Sequence, residues 1–67
     1  MKAISGKRMC RLLEAKGWTR ARVRGSHYTY SLPGRPNIIV PVHANSDLKR
    51  KTQKTIMRQA GLTDADL

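Results

Sequence analysis

The fold is decided by residues 19–32, which read TRARVRGSHYTYSL. On either side of Gly25-Ser26, apolar and polar side chains alternate, as expected of two half-buried β-strands. Glycine at the first position of a two-residue loop is typical of a type II′ hairpin turn. The segment is therefore predicted to form two antiparallel strands, residues 19–24 and 27–32.

The two-residue loop also determines which residues of the hairpin lie opposite each other. The predicted polar pairs are Arg24 with His27, Arg22 with Thr29 and Arg20 with Ser31, and the predicted apolar pairs are Val23 with Tyr28 and Ala21 with Tyr30. One face of the hairpin is therefore expected to pack its apolar side chains, including both tyrosines, in the core. The other face is expected to expose His27 among the arginines.

A helix is predicted before the hairpin and another after it. Ser5 can cap a helix over about residues 6–16, and Gly17 can end it. After a linker at about residues 43–49, a second helical pattern runs to Gly61, which marks its end. The residues that define this second pattern are Thr52, Ile56, Met57 and Ala60.

A third strand is predicted between the hairpin and the second helix. Pro33-Gly34 fits the central positions of a type II turn. The apolar side of the strand that follows consists of Ile38, Val40 and Val42. We therefore predict an α+β fold of two layers and order α-β-β-β-α, whose three-stranded antiparallel sheet carries both helices on one face. A chain of this length has room for one such domain, which spans residues 1–67.

The charge of the chain indicates a polyanionic partner. Fourteen Lys and Arg stand against four Asp and Glu, which gives a net charge of +10. This excess is larger than solubility requires, and Lys and Arg bind nucleic acids by displacing the cations that surround their phosphates. Charge alone does not separate a nuclease from a binding module. A membrane surface is less favoured, because neither predicted helix has a strong apolar face bordered by aromatic residues.

Other classes of function lack the residues they need. Cys10 is the only cysteine, so neither an internal disulfide nor a zinc site with Cys/His spacing is expected. The first residues have no apolar signal segment, and no stretch is long enough to span a membrane. We therefore expect a soluble protein of the reducing cytoplasm that works without a metal or cofactor.

His27 is the candidate catalytic residue. It is predicted to follow the turn directly, exposed and beside Arg24. An imidazole can remove a proton from a ribose 2′-hydroxyl or give one to a leaving 5′-oxygen, and a neighbouring guanidinium can bind the phosphate. An isolated surface histidine is more often a simple polar residue. His43 is open to three roles: a second proton-transfer group, a structural hydrogen bonder or a plain loop residue.

The candidate RNA contacts belong to the hairpin and to the two helix starts. Helix N-termini offer free amide donors to phosphates, although cations placed there oppose the helix dipole. Screened surface charges explain such cations equally well. The residues that we expect to contact RNA are Arg20, Arg22, Arg24, Ser26, Lys7, Arg8, Lys49, Arg50 and Lys51.

Three motifs occur in order along almost the whole chain. They are Gly-Ser-His at residues 25–27 after a basic strand, Val-Pro-Val-His at residues 40–43, and Gln-Ala-Gly-Leu at residues 59–62 at the end of a helix. With this order and spacing, the chain resembles the HicA toxins. The resemblance implies a fold like that of a double-stranded-RNA-binding domain, metal-independent cleavage of mRNA and neutralisation by a HicB antitoxin. It implies His27 as the catalytic residue and His43 as the second motif histidine.

One feature departs from the family pattern. Arg50-Lys51 stands where Pro-Gly or Gly is common before the second helix, so the start of that helix is the element least defined by the resemblance.

Two other classes of protein remain compatible with these residues. A non-catalytic RNA- or DNA-binding module would use the same basic surfaces for phosphates and would not need His27. A protein-interaction adaptor for an acidic partner would account for the charge but not for the position of His27 beside Arg24. Replacing His27 separates these classes, because only a nuclease depends on it.

Overall fold

The computed structural model describes residues 1–67 and has six elements of secondary structure. In chain order they are helix α1 (Gly6–Ala15), strands β1 (Thr19–Arg24), β2 (His27–Ser31) and β3 (Ile38–Pro41), helix α2 (Arg50–Ala60) and a short 3₁₀ helix (Asp64–Asp66). All neighbouring strands are antiparallel, and β2 is the central strand. The predicted α+β fold and its α-β-β-β-α order are confirmed.

The ends of the helices follow from local sequence. Ser5 has an extended backbone, and its hydroxyl oxygen accepts a hydrogen bond from the amide of Arg8 at 3.1 Å, so the predicted cap is confirmed. Gly17 after α1 has φ +96° and Gly61 after α2 has φ +69°, a left-handed conformation that glycine adopts at little cost. Lys49 precedes α2 without a side-chain cap, so no side chain satisfies the first amides of this helix.

Both predicted turns are present. Gly25 has φ +58° and Ser26 has no positive φ, as a type II′ turn requires. Gly34 has φ +80°, and the amide of Arg35 donates to the carbonyl of Leu32 at 3.0 Å, which closes the predicted type II turn. The connections between the three strands therefore follow directly from glycine positions in the sequence.

The register of the hairpin agrees with the prediction near the turn and departs from it further away. The confirmed pairs are Arg24 with His27, Val23 with Tyr28 and Arg22 with Thr29. Beyond them a β-bulge shifts the register, so that Arg20 lies opposite Tyr30 and Thr19 lies opposite Ser31. The predicted pairs of Arg20 with Ser31 and of Ala21 with Tyr30 are therefore wrong.

The bulge changes the face on which Arg20 lies. In a bulge an extra residue of one strand has no partner on the other, and here that residue is Ala21. The methyl group of Ala21 buries too little surface to hold the alternation in place. Arg20 instead lies on the helix-bearing face, with its guanidinium carbon 5.9 Å from the centre of the Tyr28 ring, within the range of a cation–π interaction.

Strand β1 lies outside the core. We predicted that Ala21 and Val23 would be buried, but every residue of β1 is exposed, and Val23 retains 47% of its accessible surface. Both β1 and β3 are edge strands, but the buried strand residues come only from β2 and β3.

A single cluster of 13 buried apolar residues forms the core. The cluster comprises Ile4, Met9, Cys10, Leu13, Trp18, Tyr30, Ile38, Val40, Val42, Leu48, Ile56, Met57 and Leu62. Its members on β3 alternate along the strand, so they lie on one face of the sheet. Because residues of both helices belong to the same cluster, both helices cover that face, as predicted.

A buried glutamine ties the N-terminal segment to α2. Gln53 is fully buried; its side-chain oxygen accepts from the amide of Ile4 at 3.0 Å, and its amide nitrogen donates to the carbonyl of Lys2 at 2.6 Å. The amide of Leu48 donates to the carbonyl of Ile4 at 2.8 Å. These bonds fix the start of α1 relative to α2 and to the loop before it.

Candidate active site

His27 lies at the end of the central strand that adjoins the hairpin turn. It is the first residue of β2, and its side chain is exposed. Neighbouring residues of a strand point to opposite faces, so His27 lies on the face away from Tyr28 and from the helices. No hydrogen bond joins its imidazole to another protein group. Both ring nitrogens are therefore free to meet a substrate.

We call the sheet face that carries His27 the outer face; it also holds Arg22, Arg24, Thr29 and Ile39. Arg24 lies directly opposite His27, and both arginines are exposed. Neither forms an ion pair, because the two ion pairs of the structure join the N-terminus to Asp64 and Lys16 to Asp66. The predicted placement of His27 beside an arginine is confirmed, and the positive charge there is not neutralised.

The turn before His27 is held by its neighbour strand. Ser26 is half-buried, and its carbonyl accepts a hydrogen bond from the amide of Val42 at 2.7 Å. His27 itself lies opposite Pro41 of β3. Because His27 also pairs with Arg24 of β1, the backbone that carries the imidazole has a neighbouring chain segment on both sides.

His43 lies two residues beyond the end of β3, in the loop that leads to α2. It is exposed, and its carbonyl accepts from the amide of Ser46 at 2.9 Å. A surface recess of about 490 Å³ lies beside it, lined by Pro41, His43, Ser46, Asp47, Leu48, Lys49 and Thr52. His43 and His27 thus have Pro41 as a common neighbour, and the recess places His43 next to the start of α2.

The other predicted RNA contacts fall on two further surfaces. Lys49, Arg50 and Lys51 are exposed around the start of α2, a surface that we call the α2 start. Lys7 and Arg8 are exposed in the first turn of α1. The prediction that Arg20 shares the face of His27 is wrong, because the bulge places it on the opposite face.

A third basic surface was not anticipated from the sequence. The α1–β1 cleft is a recess of about 230 Å³ between α1 and the hairpin, lined by Lys7, Cys10, Arg11, Glu14, Arg20, Tyr28, Tyr30 and Val42. It contains Arg11, which is not among the predicted RNA contacts. The only sequence signal that could have found this cleft is helical spacing, since Lys7, Arg11 and Glu14 lie three or four residues apart on one helix face.

The inner end of the cleft is closed by a buried tyrosine. The hydroxyl of Tyr30 donates to the carboxylate of Glu14 at 2.5 Å. Burial, together with this hydrogen bond, raises the pKa of Tyr30 above its usual range. Burial also raises the pKa of the Cys10 thiol. Both groups therefore stay protonated at neutral pH, and Cys10 has no thiolate character that would make it a nucleophile.

A cluster of metal ligands and a helix that could span a membrane are two features that the structure lacks. No group of three or more His, Cys, Asp or Glu side chains comes together in a way that could hold a metal ion. Neither helix has the length and apolar character needed to cross a membrane.

The fold and the site together define a small, basic α+β domain with an unpartnered histidine beside an arginine on an open sheet face. Comparison with protein-family models finds a match to the HicA toxin of bacterial toxin-antitoxin systems over residues 6–62, which includes both helices, all three strands and both histidines. The chain therefore belongs to the HicA toxin family, and its general role is that of the toxin in a toxin-antitoxin pair. A search of individual curated proteins found no match.

Proposed function

We propose that the protein is a ribonuclease that cleaves mRNA, with His27 as its catalytic residue, and so blocks translation. The observation that carries this proposal is the exposed imidazole opposite Arg24 on a cationic sheet face. Membership of the HicA toxin family supports it, because toxins of this family are generally mRNA interferases.

The proposed reaction uses the 2′-hydroxyl of the RNA as the nucleophile. A base removes its proton, the 2′-oxygen attacks the adjacent phosphorus, and the bond from phosphorus to the 5′-oxygen breaks as an acid gives that oxygen a proton. The products are a 2′,3′-cyclic phosphate and a 5′-hydroxyl. His27 performs one of these proton transfers, and Arg24 binds the phosphate and stabilises the charge that develops on it.

His43 is the candidate for the second proton transfer. It supports this role that His43 lines a recess together with Pro41, the residue that lies opposite His27. A structural role at the start of α2 is the alternative. Separate replacement of the two histidines distinguishes these roles, because a structural residue affects stability more than the rate of the chemical step.

The proposed RNA surface is the outer face together with the α2 start. Arg22 and Arg24 on the outer face, and Lys49, Arg50 and Lys51 at the α2 start, are exposed and form no ion pair. Each phosphate that such a cation neutralises releases condensed counterions, so affinity for RNA should fall steeply as salt rises.

The proposed protein partner is a HicB-type antitoxin. A net charge of +10 makes an acidic surface the natural complement of this chain. An antitoxin that covered the outer face would neutralise its arginines and exclude RNA from His27. We propose that both the reaction and its inhibition take place in the cytoplasm, where mRNA is found.

Incubation of the purified protein with single-stranded RNA in the presence of a chelator tests this proposal. We expect the RNA to be cut without added metal, because imidazole acid–base catalysis needs none. The measurement is the length of the RNA on a denaturing gel over time, with a parallel reaction in magnesium. Binding without cutting would favour the non-catalytic module, and cutting only with magnesium would refute the proposed chemistry.

A further inference from the structure

The α1–β1 cleft carries positive charge that the proposed reaction does not use. Lys7, Arg11 and Arg20 line it together with a single carboxylate, that of Glu14. None of the three cations forms an ion pair, and Glu14 already accepts a hydrogen bond from the hydroxyl of Tyr30. The cleft therefore has an excess of positive charge, and it lies on the side of the sheet away from His27.

Arg20 is positioned in this cleft by two features of the hairpin. The β-bulge turns its side chain to the helix-bearing face, and the ring of Tyr28 lies 5.9 Å from its guanidinium carbon. Tyr28 is half-buried, whereas Arg20 is exposed. A half-buried ring beneath an exposed guanidinium restricts the arginine while it leaves the group open to a ligand, which lowers the entropy lost on binding.

We infer that the α1–β1 cleft binds a phosphate of the RNA strand at a nucleotide outside the cleaved bond. Arg20 is the principal contact, and Tyr28 is the residue that positions it. This inference rests on the proposed function, because it takes the RNA substrate as the ligand. Its basis in the structure is the cluster of three unpaired cations, one of which is a guanidinium held by an aromatic ring.

The geometry of β1 allows one strand of RNA to reach both surfaces. β1 is an edge strand, and all its residues are exposed, so nothing from the fold covers the path over its edge. Arg20 and Arg24 are four residues apart, which corresponds to at most about 13 Å along the strand, because the bulge at Ala21 shortens it. A single strand whose cleaved phosphate lies at Arg24 can therefore continue over the edge of β1 into the cleft.

RNA is favoured over an acidic protein segment by the composition of the cleft. An acidic segment needs only cations, whereas the cleft also offers the plane of the exposed Arg20 guanidinium, whose other side rests on the Tyr28 ring. Single-stranded RNA uses both properties of this group, because its phosphates pair with the guanidinium charge and its bases can stack on the guanidinium plane.

Binding measurements on Arg20→Ala test the inference. They use the full chain with His27→Ala, so that the RNA stays intact, and a fluorescent 12-nucleotide RNA at several salt concentrations. We expect Arg20→Ala to flatten the slope of log affinity against log salt by about 0.7. The parent therefore binds RNA more tightly than the variant at 50 mM salt, and this advantage shrinks by about 2.6-fold when the salt is raised to 200 mM. The matched control is Arg58→Ala, which removes an exposed arginine near the end of α2.

A second pair of variants tests the positioning role of Tyr28. Tyr28→Phe keeps the ring and should bind RNA like the parent, whereas Tyr28→Leu should weaken binding, but by less than Arg20→Ala because the charge of Arg20 remains. Thermal melts of each variant establish that it is folded. In the background with His27 intact, Arg20→Ala should raise KM and leave the single-turnover rate at saturating RNA unchanged, because the cleft does not contact the reacting atoms.

Three outcomes would overturn the inference. The first is an Arg20→Ala slope equal to that of Arg58→Ala, and the second is a Tyr28→Leu variant that is folded and binds RNA like the parent. The third is an Arg20→Ala variant that loses more affinity for poly-glutamate than for RNA, which would assign the cleft to an acidic protein. Failure of the proposed function has a different signature: no variant cleaves RNA, while the difference in slope between Arg20→Ala and Arg58→Ala remains.

Discussion

His27→Ala is expected to lower the rate of RNA cleavage by about 10²- to 10⁴-fold, the usual cost of losing a general acid or base. The fold should be preserved, because the side chain is exposed and makes no hydrogen bond with the protein. RNA affinity should also be nearly unchanged, since the cations of the outer face remain. Single-turnover rates of parent and variant at saturating RNA measure this effect, and growth of cells that express each protein reports toxicity.

The matched control for this experiment is His43→Ala, the other histidine of the chain. Thermal melts of parent and both variants exclude unfolding as the cause of any loss. If His27→Ala cleaves at the rate of the parent while His43→Ala is folded and inactive, the catalytic assignment is wrong. If both are folded and each loses activity, the two histidines share the proton transfers.

Gly6→Ala is expected to destabilise the fold strongly. A Cβ atom at Gly6 would lie 2.2 Å from the carbonyl oxygen of Pro41 and 3.1 Å from Cα of Val42, and neither backbone atom can move without shifting β3. Overpacking of this kind costs about 1–3 kcal/mol or more. At roughly 4–8 °C per kcal/mol for a domain of this size, we expect the melting temperature to fall by about 4–24 °C.

The matched control for Gly6→Ala is Lys7→Ala at the next position of α1, where the side chain is exposed. Because alanine favours helices more than glycine does, a purely local effect at Gly6 would raise stability. A melting temperature equal to or above that of the parent would therefore contradict the close approach of α1 to β3. Because Pro41 lies opposite His27, this contact also bears on the position of the candidate catalytic residue.

The end of the hairpin that carries His27 was predictable from local sequence. A two-residue loop whose first residue is glycine favours a type II′ turn, and this turn sets one register for the hairpin. The position of Arg24 opposite His27 therefore follows from the local sequence, without reference to tertiary contacts. The prediction failed four residues from the turn. There Ala21 offers little apolar surface to bury, and the bulge instead brings the Arg20 guanidinium over the ring of Tyr28.

Other features depend on tertiary contacts that local sequence patterns do not predict. Gln53 is polar, as is typical of the exposed side of a helix. It is nevertheless fully buried, because the backbone of Ile4 and Lys2 supplies hydrogen-bond partners for its amide. The α1–β1 cleft arises only when α1 packs beside a bulged strand. Val23 fits an apolar strand position, yet it retains 47% of its accessible surface. Tertiary packing therefore decides both the extent of the core and the number of basic surfaces.

The chemical ends of the cleaved RNA test the central claim most directly. Mass spectrometry of the fragments produced in chelator identifies these ends without reference to rate or affinity. Attack by the 2′-hydroxyl, with His27 transferring a proton, predicts a 2′,3′-cyclic phosphate or its hydrolysis product, a 3′-phosphate, on one fragment and a 5′-hydroxyl on the other. Fragments that carry a 3′-hydroxyl and a 5′-phosphate would show that water or another nucleophile attacks the phosphorus, and would contradict this account.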